Sequence, residues 1–185
     1  MTFAVAVFVI RIVRSAGALP GGGTSFNANF RQVVYRNAIG FLDFYYQLGI
    51  TGPAPSSHVN WLITQGFAGF TTYVAYDTAL NLVPAPSSAV YQAPTGVQRT
   101  SNGSQITFKW AAPSTPMTGQ DIYSVLIATN DTDYTSGTTQ LMNSGIANIA
   151  TFAPGPEPAS IVLFGTVIAG VAFLARRRQR RLVKQ

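Results

Sequence analysis

His58 is the single histidine of the chain and follows Ser56 and Ser57, so Ser-His-Asp hydrolysis is the first chemistry the residue types allow. A serine of that kind sits on a strained G-x-S-x-G elbow, and no such pattern occurs. One imidazole cannot build a histidine metal cluster. The carboxylates are Asp43, Asp77, Asp121, Asp131, Asp133 and Glu157. Paired-carboxylate glycoside hydrolysis would have to use two of the aspartates. Asn130, Asp131 and Asp133 offer the oxygen ligands that calcium takes, but the EF-hand spacing is absent. Alternate aspartates in so Thr/Asn/Gly-rich a stretch favour Asx turns instead. The chain has no cysteine, which removes thiolate nucleophiles, thiolate zinc sites and disulfides. These residues predict no catalytic site, no metal and no cofactor. The chain reads as a non-enzyme.

Recognition is a different matter. Tyr45, Trp61 and Tyr73 are candidates for stacking on sugar rings, because the apolar face of a sugar matches an aromatic face. Trp110 falls on the same alternating face as Phe108 and reads as core.

The formal charge of +6 and a pI near 10 invite a nucleic-acid reading. Six of the twelve basic residues, however, are Arg176, Arg177, Arg178, Arg180, Arg181 and Lys184. Between residues 19 and 158 four basic side chains face six acidic ones, leaving −2. Phosphate binding needs a basic face on the folded domain, so nucleic acid is excluded as a partner.

The basic cluster closes a tripartite tail. Pro156-Glu157-Pro158-Ala159-Ser160 is followed by an uncharged run, Ile161 to Ala175, and then by the arginines. The fifteen-residue run, as a helix, covers roughly 22 Å of a hydrocarbon core about 30 Å thick. Ala159, Ser160 and snorkelling arginines close most of the difference. The spacing predicts a single transmembrane helix over 161–175. Arg176, Arg177, Arg178, Arg180 and Arg181 act as its stop-transfer signal, and 176–185 is a cytoplasmic tail. The body then lies on the far side of the membrane. Residues 154–160 form a Pro-rich linker, too rich in proline for a helix interior.

Triplet, apolar run and arginines, in that order, resemble the PEP-CTERM sorting tail. The resemblance implies an exported bacterial protein, often of an exopolysaccharide producer. It also implies recognition of Pro156, Glu157, Pro158, Ala159 and Ser160 by exosortase, a membrane transpeptidase-like cysteine protease that removes the tail. Catalytic residues for that step belong to the processing enzyme. VYRNAIGFLDFYYQ (34–47), SNGSQITFKW (101–110) and IATNDTDYTSGT (127–138) look similar to secreted domains that precede this tail. That second likeness implies a β-rich exported body and brings no activity.

At the other end, Phe3 to Ile10 is apolar and Ala16-Gly17-Ala18 fits an A-x-A cleavage pattern. Arg11 and Arg14 follow the run where a signal peptide has its charges in front. Residues 1–18 are read as a damaged or mis-started signal peptide, with an N-terminal strand as the alternative.

The body, 24–153, has to be built from strands. Aromatic, Thr, Ser, Gly and Pro contents are high and charged residues are only 10%. Leu42, Phe44, Tyr46 and Leu48 share one face of a strand, and Phe70, Thr72, Val74 and Tyr76 alternate likewise. Ile106, Phe108 and Trp110 oppose Gln105, Thr107 and Lys109. Asn102-Gly103 predicts a type I′ turn that folds Val97–Thr100 back as a hairpin. Asp121 to Thr129 suits a central strand. With Phe26 to Phe30, Gln32 to Tyr35, His58 to Ile63 and Gly137 to Met142, the reading is a β-sandwich of about eight antiparallel strands. The expected protein is an exported surface or extracellular-matrix component. It is anchored in the inner membrane until processed, then released to the cell surface or beyond, with exopolysaccharide or biofilm as its setting. A surface-displayed polysaccharide-binding module is the alternative.

Overall fold

The alternation around Phe108 folds as read: Ile106, Phe108 and Trp110 are buried, while Gln105, Thr107 and Lys109 are partly exposed. The same period of two is seen at Trp61–Gln65, with Leu62 and Thr64 buried between partly exposed neighbours. The computed structural model describes residues 9–16, 27–52, 58–78, 90–111, 120–143 and 145–155. Among them twelve strands form. In chain order they are β1 (Val9–Ala16), β2 (Asn27–Arg36), β3 (Leu42–Gly52), β4 (Trp61–Gln65), β5 (Thr72–Asp77) and β6 (Val90–Gln92). Then come β7 (Gly96–Arg99), β8 (Gln105–Lys109), β9 (Gln120–Ile122), β10 (Ser124–Thr129), β11 (Tyr134–Met142) and β12 (Ile146–Pro154).

One sheet runs β1-β2-β3-β10-β5, with β9 also on β3 and β6 on β9; the other runs β12-β11-β4-β8-β7. Phe30, Phe44, Tyr46, Leu48, Val125 and Ile127 from the first sheet join Leu62, Ile106, Phe108, Leu141 and Ile149 from the second in a single apolar core. Two sheets sharing one core is the arrangement of a sandwich. Polar ties cross it. The Tyr46 hydroxyl lies 3.2 Å from Thr64 Oγ1, and the chain of hydroxyls continues through Thr139 to Thr151. Buried polar atoms need such partners.

Several expectations are corrected. There are twelve described strands where about eight were expected, and β6 pairs with β9 in parallel, so the body is not wholly antiparallel. The segments expected at Phe26–Phe30 and Gln32–Tyr35 fall, from Asn27 onward, in one strand, because Arg31 stays in the ladder opposite Gln47; Phe26 lies outside the described residues. The reading for Asp121–Thr129 breaks at Tyr123, whose N–H donates to Gln92 O and draws the chain toward β6. β5 was read as half-buried, yet Val74 and Tyr76 are 41% and 48% exposed. It is the last strand of its sheet, and Val74 borders an open cavity shared with Val97, Arg99 and Ile106 instead of a packed core. The hairpin of β7 and β8 forms, but Asn102 keeps negative φ and only Gly103 is positive (+72°). A type I′ turn needs two positive residues, so the turn is of another type. β12 carried no expectation at all; Ile149, Thr151 and Ala153 alternate toward the core, with one polar and one small residue among the three.

β1 lies along β2 in an eight-residue register, which realises the N-terminal strand alternative for residues 9–16. Removing residues 1–18 on export would leave β2 at the edge. No helix among the described residues is long and apolar enough to cross a membrane. The expected span at 161–175 lies outside the described residues.

Candidate functional site

The compact body ends at Gly155, one residue before the Pro-Glu-Pro triplet. What holds that end in place is built from two loops and the strands beside them. Asp131 is 1% exposed and accepts from backbone at three points. Its Oδ1 takes the N–H groups of Thr132 (2.8 Å) and Asp133 (3.3 Å), an Asx turn. Its Oδ2 takes the N–H of Gly155 at 2.7 Å. The Gly155 N–H also reaches Asp133 O at 3.1 Å.

The loop carrying Asp131 is itself anchored to the first sheet. Leu42 N donates to Asp131 O, and Thr129 Oγ1 donates to Leu42 O, both at 2.8 Å. Arg36 ties the β2–β3 turn to the same place, donating to Gly40 O and Thr132 O. On the β12 side, Ala153 fits against Gly137, where an added Cβ would lie 2.7 Å from the alanine Cβ. Glycine is required there by close approach. The Phe152 ring meets Tyr134 edge-on at 4.9 Å. The last residues of the body are thus fastened to both sheets.

The residues weighed as calcium ligands are engaged within the fold. The Asp131 oxygens serve backbone donors, and Asn130 Oδ1 accepts from Thr71 N at 2.9 Å. Among the described residues no three His, Cys, Asp or Glu side chains converge. His58 is half-buried and its backbone oxygen accepts from Asn143 Nδ2. Ser56 and Ser57, and the whole of the triplet and arginine cluster (Pro156 to Ser160; Arg176 to Arg181), lie outside the described residues.

The three sugar-stacking candidates are divided. Tyr45 and Tyr73 occupy the outer face of the first sheet, separated by β10, with Leu126 opposite Tyr45 and Ala128 opposite Tyr73. Tyr73 is 74% exposed. Tyr45 is braced edge-on by Tyr35 at 5.3 Å. Burial, then the nearby Asp43 and Asp77 carboxylates, then Tyr35, push its phenol above the usual range. Trp61 belongs to the other sheet, outward of Leu62, and is not part of that face.

Two features went unread in the sequence. Asp121, on β9, is fully buried, and neither carboxylate oxygen has a hydrogen-bond partner. Burial raises its pKa to about 6. Beside it Tyr123 stacks between Tyr91 and Tyr76, with centroids 5.4 and 5.8 Å apart. A small cavity of about 200 Å³ opens between β5 and the β7–β8 hairpin, lined by Thr72, Val74, Val97, Arg99 and Ile106. Arg99 does not offer its charge there freely: it donates to the carbonyls of Phe67, Phe70 and Gly103.

No curated protein and no solved structure matches the chain. A family model does: residues 156–179 match the PEP-CTERM protein-sorting motif. A body closed at Gly155 and a matched motif from Pro156 meet without a gap, and the chain carries a PEP-CTERM sorting signal directly behind an all-β domain.

Proposed function

We propose that this is a non-enzymatic protein of the cell surface or extracellular matrix, delivered by its sorting tail and left as a β body once exosortase has removed that tail. The observation that carries the reading is the matched motif over residues 156–179, which implies export and exosortase as processing partner. The apolar run 161–175 holds the tail in the inner membrane, and the arginines keep its end on the cytoplasmic side. The last described strand ends at Pro154, before the tail begins, as a released body requires. The test is the mass of the mature protein from cells with and without exosortase. Loss of the tail only in the former supports the reading; an intact chain in both overturns it.

A second reading is favoured by one observation: Tyr45 and Tyr73 share the outer face of one sheet, with Asp43 and Asp77 close to Tyr45. Aromatic faces for stacking beside carboxylates that accept from hydroxyls suit a polysaccharide. The mature protein and its Tyr73→Ala variant, titrated with exopolysaccharide from the same cells, separate the readings. Tyr73 is an exposed side chain, so the substitution leaves stability unchanged and reports binding alone.

A further inference from the structure

The bonds at the body's end do more than close a fold. β12 is the last strand of its sheet and pairs, among the described residues, with β11 alone, from Ile146 opposite Met142 to Pro154 opposite Tyr134. An edge strand leading into a tail frays from its free end. A protease takes its substrate as an extended, unpaired stretch, so fraying would expose the residues before Pro156 to cleavage. Against this stand the two acceptors on the Gly155 N–H, one of them the buried Asp131 carboxylate. A hydrogen bond to a carboxylate is about twice as strong as a neutral one.

We propose that Asp131 is a positioning residue for tail removal: by holding Gly155 in the fold, it keeps β12 out of the protease and confines cleavage to the stretch beyond Gly155. The inference rests on the sorting reading above. Two ties and one length fit it. Asp131 is itself locked to β3 through Leu42, so its carboxylate cannot follow Gly155 outward. Phe152 is held by Gln32 through both its N–H and its carbonyl, which fastens the strand three residues further in. Between Gly155 and the apolar run only the five residues Pro156 to Ser160 remain, at most about 18 Å of extended chain. A strand end able to peel back would lengthen that reach into the body. The clamp prevents it.

The experiment uses the full chain in detergent, as wild type, Asp131→Asn and Asp131→Ala. Three readouts are compared: hydrogen exchange at the Gly155 amide, the first cut by a non-specific protease, and the urea midpoint. In the wild type the Gly155 amide is protected and the first cut falls after Gly155. In Asp131→Ala exchange at Gly155 accelerates about ten- to a hundredfold, as loss of a charge-assisted bond requires. The first cut then moves into β12, while exchange at Ile106 and Phe108 is unchanged. Asp131→Asn keeps one acceptor oxygen and gives an intermediate result.

An unprotected Gly155 amide in the wild type, or a wild-type first cut within β12, overturns the proposal whether or not the variants fold. So does an unchanged cut position in a folded Asp131→Ala. Mature protein from cells adds the link to processing: its C-terminus lies beyond Gly155 in the wild type and becomes ragged into β12 in Asp131→Ala. If cells never remove the tail, the sorting reading fails by itself, and the exchange data still judge the clamp.

Discussion

The Gln32 side chain pairs with the backbone of Phe152 as though it were a strand: Nε2 donates to Phe152 O at 2.8 Å, and Phe152 N donates to Oε1 at 2.7 Å. Gln32 is buried and belongs to the first sheet, Phe152 to the second, so one amide bridges the sandwich. Gln32→Leu conserves size but strips two backbone groups of their partners. Each such group costs about 1–3 kcal/mol where water cannot replace the amide. The expected loss is about 2 kcal/mol of unfolding free energy, with the m-value unchanged, read from urea titration.

Asp121 sets the pH dependence of the body. Its folded pKa is raised to about 6 by burial, against 3.8 when exposed in the unfolded chain. Between those values the folded state holds the proton and the unfolded state has lost it, so stability falls as pH rises through the window. The body is therefore more stable near pH 4 than at pH 7, the reverse of the usual aspartate. Asp43, also raised by burial, with its Asn37 bond opposing, adds in the same direction. Asp121→Asn flattens most of the slope and stabilises the protein at pH 7 by on the order of 2 kcal/mol. A urea midpoint that rises with pH from 4 to 7 in the wild type contradicts this assignment.

How far these features could be read in advance depends on what each residue faces. Leu42, Phe44, Tyr46 and Leu48 are buried because a sheet sorts side chains by parity, which the sequence displays directly. Asp131 was legible as an Asx turn but not as a clamp, since its third partner, Gly155, is twenty-four residues away. β12 was invisible for a related reason. Of its core-facing residues only Ile149 is a large apolar side chain; Ala147, Thr151 and Ala153 are small or polar, and Ala153 packs close against Gly137. β5 fails in the other direction: its alternation is real, but Val74 faces a cavity and Tyr76 the Tyr123 ring, so both stay well exposed. Local pattern decides the strand; only topology decides whether both its faces meet water. The sorting motif was legible because it is read in order along the chain, by composition and charge.

The boundary at Gly155 predicts a sharp asymmetry between two truncations. Ending the chain after Gly155 keeps all twelve strands and leaves the urea midpoint within about 0.5 kcal/mol of the full chain. Ending it after Gly145 removes β12, uncovers the edge of β11, and takes Ile149 and Ala153 out of the core. A buried Ile alone is worth about 1.5–3 kcal/mol, and nine ladder positions go with it. The total stability of a domain is about 5–15 kcal/mol, so the shorter chain does not fold cooperatively. Circular dichroism on both truncated chains checks the pair.

The arginine cluster predicts a change of address without a change of fold. Arg176, Arg177, Arg178, Arg180 and Arg181 lie beyond the body, which is complete at Gly155. In the proposed topology, replacing all five by Ser removes the positive charge that would hold the tail's end on the cytoplasmic side. The apolar run of fifteen is short for a span, and in that topology snorkelling arginines extend it to the headgroups. Without them the run loses both its stop and its effective length, and the chain passes through the membrane unprocessed. The expected result is a full-mass protein, tail included, recovered outside the inner membrane fraction. Replacement by Lys keeps the charge and most of the apolar stem, so it retains membrane anchoring and tail removal. Equal processing of the Ser and Lys variants would show that the cluster is not read by its charge.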